Sequence, residues 1–191
     1  MSNVPMNFIK SVLVALCALC VAGCVSTQVT SAVIAPSPSP VERIAVVVRH
    51  GTFSSSNLAA SLGQRNLDGL TPYLNTRVPA VFTLNGIAAR STRFEAREGQ
   101  TPGRIEPGEK VIYLTPVAAR YSDQAGQSLM VRADLLDPAR RAPIWLAEIH
   151  MHTLGYGKFD EKVATAVAVQ MLEKLRADGV IHLPEGPIRT E

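Results

Sequence analysis

Three places in the chain carry residue types that could do covalent or coordination chemistry. At Val48-Arg49-His50-Gly51-Thr52 an apolar run ends on a guanidinium beside an imidazole. An imidazole can act as nucleophile or proton carrier near neutral pH, and a guanidinium grips a phosphoryl group through paired N–H donors. At His150-Met151-His152 two imidazoles are two positions apart, so a strand would turn both to one face. A catalytic zinc needs a third protein ligand; Glu148 shares that face, and nothing else signals one, so no metal site is assigned. At Val21-Ala22-Gly23-Cys24 a thiol follows small residues.

The segment before Cys24 gives that thiol its chemistry. A short basic start with Lys10 leads into an apolar run from Val12 to Val21. The run is nearer a signal-peptide core than a spanning helix, which needs about 20 apolar residues. Residues 1–23 therefore read as a bacterial lipoprotein signal peptide, with a compact alternative start at Met6. Cys24 becomes the acylated first residue of the mature chain. Cys17 and Cys20, the other two of three cysteines, leave with the signal, so no intramolecular disulfide is expected. Each buried acyl methylene contributes about 0.8 kcal/mol, and more than one chain makes attachment stable. Val25 stands where an aspartate would favour inner-membrane retention, so the expected location is the outer membrane, facing the periplasm.

Removing residues 1–23 leaves 168 of 191, the size of one domain, and takes the net charge from +3 to +2. So weak a balance argues against nucleic acid as a partner. Aromatics are few and Trp145 is the only tryptophan, so the core must be built from Val, Leu, Ile and Ala. No cofactor is indicated.

The elements that would position these groups follow from periodicity. Residues 24–41 are rich in Ser, Thr and Pro and end in Ala35-Pro-Ser-Pro-Ser-Pro40, which predicts an extended tether. The domain is then expected over 42–183, with 184–191 a loose tail. Ile44 to Val48 is a continuous β-branched run, as in a strand covered on both faces. Ser54 to Asn57 offers helix N-caps. Leu58–Leu62 could start a short helix broken near Gly63. A second helix over 67–84 has Leu70, Leu74, Val78, Val81 and Phe82 one turn apart, with Pro72 opening it, Pro79 kinking it and Asn85-Gly86 ending it.

Ile87 to Phe94 predicts a strand and 95–110 a loop. Val111–Tyr121, Ser128–Leu136 and Ile144–His152 predict an antiparallel meander. In the last strand Trp145, Ala147, Ile149 and Met151 should face the helices. Ile144, Leu146, Glu148, His150 and His152 should share the other face, with Arg132 opposite Glu148. Phe159 to Ala177 is the strongest helix, striped by Val163, Val167, Met171 and Leu175 and ended by Gly179.

Two resemblances accompany these residues. Arg49-His50-Gly51 at a strand end resembles the opening motif of the histidine phosphatase family. That likeness implies His50 as phosphate-accepting nucleophile, Arg49 as phosphate clamp and Arg90 or Arg93 as the later arginine. Thr52 replaces the usual Glu or Gln, and the family's second histidine would have to be His150 or His182. Separately, Leu135-Leu-Asp-Pro138, then Ala142-Pro-Ile-Trp145-Leu-Ala-Glu148, then a long terminal helix, is similar to small bacterial envelope lipoproteins of the curli-secretion and penicillin-binding-protein-activator kind. That resemblance implies binding of proteins or envelope polymers without catalysis, and carries over no functional residue.

The expected fold is α+β: a two-layer sandwich whose mixed, mostly antiparallel sheet of about five strands has helices on one face. The expected function is a non-catalytic lipoprotein, held in the outer membrane by its N-terminal lipid and binding an envelope protein partner. Arg132, Glu148, His150, His152 and the 95–110 loop are the candidate partner surface. The alternative is a periplasmic phosphohydrolase using His50, Arg49 and Arg93.

Overall fold

The computed structural model describes residues 25–37, 40–49, 58–92, 105–122, 126–153 and 158–191. In chain order the elements are β1 (Val25–Val33), β2 (Arg43–Val48), α1 (Leu58–Leu84), β3 (Ala88–Ser91), β4 (Lys110–Ser122), β5 (Gly126–Asp137), β6 (Ala142–Thr153) and α2 (Glu161–Ala177). The strands form one six-stranded sheet in the order β1-β6-β5-β4-β2-β3. β2 runs parallel to both β3 and β4, while β4, β5, β6 and β1 are successively antiparallel.

Both helices cover one face. Their buried stripes, Leu67, Leu70, Leu74, Val78, Val81 and Phe82 on α1 and Val163, Val167, Met171 and Leu175 on α2, join Ile44, Val46, Ile112, Leu114, Val131, Ala147, Ile149 and Met151 in the main core. The expected α+β sandwich is what the chain forms.

α1 is one continuous helix through Gly63, Pro72 and Pro79, not the two segments expected. Each interior proline costs about 3 kcal/mol, and burying a leucine-sized side chain returns about 1.5–3 kcal/mol. The stripe of six outweighs the two prolines. Gly86 at φ 89° then ends the helix, with its amide donating to the Thr83 carbonyl at 3.0 Å. The N-cap expectation over Ser54–Asn57 lies outside the described residues.

α2 is capped at both ends. Asp160 Oδ1 accepts from the amides of Lys162 and Val163 at 3.0 and 3.3 Å. Gly179 sits at φ 69° and the Val180 amide closes on the Leu175 carbonyl at 2.9 Å.

Two boundaries differ from expectation. The residues expected to form a tether begin with β1, whose Val25 lies opposite Thr153 and whose Val33 lies opposite Trp145. β-branched Val25, Thr27, Val29, Thr30 and Val33 favour a pleated conformation, and β6 would otherwise end the sheet with an unpaired backbone. The expected loose tail is docked. Asn85 exchanges two hydrogen bonds with the backbone of Arg189, each 2.9 Å, and Arg77 Nη2 donates to the Thr190 carbonyl at 3.1 Å.

On the face opposite the helices, Ala45, Val47, Val111 and Tyr113 form a second, small apolar cluster with Ile105 and Leu136 against it. That closes the β2–β4 half of this face. The β5–β6–β1 half stays open.

Candidate functional site: the open face of the sheet

Antiparallel register assembles the open half in rows. Arg132 lies opposite Glu148, which lies opposite Thr30; Met130, His150 and Gln28 form the next row, and Ser128, His152 and Ser26 the one after. Alternation along β6 holds for most of its length: Trp145, Ala147, Ile149 and Met151 are buried, while Glu148 and His150 are exposed. Ile144 departs from it. The register shifts between Leu135 and Leu136, and Ile144 is buried rather than shared with the polar face.

The expected pairing of Arg132 with Glu148 exists in register but not as an ion pair. Arg132 Nε instead contacts Asp134 Oδ2 at 3.1 Å, two residues along its own strand. Asp134 is 7% exposed, so its carboxylate gains more from a guanidinium than the solvated Glu148 does. Glu148 Oε2 lies 3.5 Å from His150 Nε2, an ion pair only when the imidazole is protonated.

His150 and His152 line a shallow depression of about 330 Å³ with Ala118, Arg120, Ser128 and Met130. The two imidazoles do share a face, but among the described residues no group of three or more His, Cys, Asp or Glu is arranged to hold a metal ion. A bulge between Pro116 and Ala118 leaves Val117 exposed beside the depression.

The strand-end arginine packs on the second apolar cluster. The Arg49 amide donates to the Leu114 carbonyl at 2.9 Å, and its guanidinium carbon sits 4.1 Å from the Tyr113 ring centre, a cation–π contact. Among the described residues its buried Nε has no hydrogen-bond partner. The Thr92 amide donates to the Val46 carbonyl at 2.9 Å, which brings the end of β3 beside β2. His50 and Arg93 follow these ends and lie outside the described residues, as do Cys24 and 93–104.

His150 does not join Arg49. β5 and β4 separate β6 from β2, a lateral distance of about 14 Å at the usual strand spacing. Arg90, the other arginine weighed for phosphate binding, is committed elsewhere: its Nε and Nη2 hold Glu109 at 2.8 and 2.7 Å.

The parallel strands start beside a cluster of charges. Burial pushes the Glu109 carboxyl up, but hydrogen bonds from Arg90 and from the Glu106 amide outweigh it and hold the group below the usual carboxylate range. Arg43 pairs with Glu106 beside them. These contacts fix where the chain enters β4 and leave the open face to other residues.

Sequence reasoning missed β1, the second apolar cluster and the role of Asp178. Asp178 Oδ2 accepts from Trp145 Nε1 and from Ser31 Oγ, both at 2.7 Å, and so joins α2, β6 and β1. The β-branched content of Val25–Val33 was the available signal for β1; no local signal marks Asp178.

No protein-family model and no curated protein sequence matches the chain. Among solved structures the chain is similar to the PelC dodecamer of Paraburkholderia phytofirmans, with 15% identity, a TM-score of 0.46, and coverage of 76% of this chain and 95% of that one. A point variant of the same protein gives 17% identity, a TM-score of 0.41 and the same coverage. The likeness is one of general α/β architecture.

Proposed function

We propose that the chain is a non-catalytic lipoprotein of the bacterial outer membrane, anchored through Cys24, which binds another envelope protein on the open half of its sheet. The observation that carries the binding role is the row Arg132–Glu148–Thr30, three neighbouring strands presenting exposed side chains of both charges on the face the helices leave uncovered. Hydrogen-bonded strands hold such groups in fixed positions, which suits recognition of a complementary surface more than a mobile loop would. The anchor rests on the sequence: the basic start, the apolar run and the small residues before Cys24.

A photo-crosslinking residue at His150, compared with one at exposed Glu173 on α2, tests the binding role in intact cells. The expected result is a defined heterologous adduct from position 150 and none from 173. Only self-adducts and abundant lipoproteins, or the same products from both positions, would overturn it.

A further inference from the structure

We infer that the end of the domain where β1 starts and β6 stops rests against phospholipid headgroups. The inference depends on the proposed acylation of Cys24, and adds which part of the domain meets the bilayer. No tether separates the two. β1 begins at Val25, already in register with Thr153, and consecutive Cα atoms are about 3.8 Å apart. The first paired residue of the sheet therefore lies one residue step from the acylated one.

Neighbouring elements reach the same level. Thr153 also lies opposite Gln127 near the start of β5, so two strand spacings, about 10 Å, separate Val25 from the start of β5. α2 runs alongside β1: Gln170 Nε2 donates to the Thr27 carbonyl at 2.7 Å, and Asp178 accepts from Ser31 at 2.7 Å. From Gln170 back to Asp160 the helix rises about 15 Å, whereas β1 has only about 7 Å left between Thr27 and Val25. The N-terminal turn of α2 thus projects past the start of β1, toward the acyl chains.

The groups there suit anionic headgroups. Arg120 near the end of β4, and Lys158 and Lys162 at the start of α2, are exposed and enter no ion pair among the described residues. Asp160 is occupied as the N-cap, and Glu161 lies 3.5 Å from Arg77 Nε. The opposite end, the turn from Asp137 to Ala142, is a 12-residue strand away, about 35–40 Å.

The test uses the lipid-bearing protein in phosphatidylethanolamine–phosphatidylglycerol vesicles carrying a headgroup nitroxide. The mature chain has no other free thiol, so a fluorophore can be placed at Lys158→Cys, at Arg120→Cys, or at Ala139→Cys in the far turn. All three sites are exposed, and circular dichroism checks each fold. Quenching several-fold greater at 158 and 120 than at 139 is the expected result. Vesicle flotation with equal quenching at all three sites would overturn this inference and leave the anchor standing. Failure to float, with an unmodified thiol at Cys24 by mass spectrometry, would overturn both.

Discussion

Lys110 and Asp137 face each other across the β4–β5 pair, Nζ to Oδ2 at 3.0 Å, with side chains only 6% and 2% exposed. The contact is a buried ion pair. Burial pushes the Asp137 carboxyl up, and Lys110, the Ala139 amide and Arg140 together bring it below its usual value. Breaking such a pair from one side costs about 3–5 kcal/mol, whereas replacing both partners with apolar residues is often near neutral. Lys110→Met should therefore be strongly destabilising, and Lys110→Met with Asp137→Leu much less so. Urea unfolding of the soluble domain checks both.

The same lowered carboxyls set an acid limit. Asp137 and Glu109 both have folded-state values below their ordinary ones. Their contribution is complete above the unfolded-state values of about 3.9 and 4.3, and is lost as pH falls through the lower folded values. Stability should fall in that acid window, and a double variant Asp137→Asn, Glu109→Gln should show a shallower acid limb. Unfolding midpoints between pH 6 and pH 2.5 measure it.

Asp178 joins three elements through one oxygen. Asp178→Ala leaves the Trp145 indole N–H without its acceptor, and Trp145 is fully buried. An unpaired buried donor costs about 1–3 kcal/mol. Ser31→Ala removes one donor to an oxygen that keeps another, and should cost less. Thermal melts of the two variants should rank in that order.

A chain beginning at Val41 tests whether β1 belongs to the fold. As a mere tether, residues 25–40 could be removed without effect. As strand β1 their loss leaves β6 with a long unpaired edge, a template for aggregation. The shortened protein should be less stable and should self-associate relative to one beginning at Val25. Light scattering and urea titration decide the matter.

Reversing the charges of the open row should separate binding from folding. Arg132→Glu and Glu148→Lys alter exposed groups. For Glu148→Lys the stability change should stay within about 0.5 kcal/mol, as at other surface positions. Arg132→Glu should cost somewhat more, because it sets a carboxylate beside Asp134. Both should reduce the adduct formed from position 150. Phosphate release from a chromogenic ester is expected to be nil; turnover abolished by His50→Ala would make the chain an enzyme.

Legibility in the sequence followed the range of each determining interaction. The α2 stripe, its Gly179 end and the alternation along β6 from Trp145 onward are local patterns, and each appears where periodicity puts it. The opposition of Arg132 and Glu148 followed from counting back from a short turn. β1 was hidden because Ser, Thr and Pro composition reads as linker, while its one sheet partner among the described residues is the distant β6. Arg132 choosing Asp134 over Glu148 was hidden too, since register fixes backbones and burial decides which carboxylate a guanidinium serves.

Because β1 pairs only with β6 among the described residues, the first described strand in the chain waits for the last one before it gains a neighbour. Even the hydroxyl of Ser31 finds its acceptor 147 residues later. Folding that depends on such distant closure is intrinsically slow. Until closure, a β-branched segment beside Cys24 keeps its backbone donors and acceptors without strand partners.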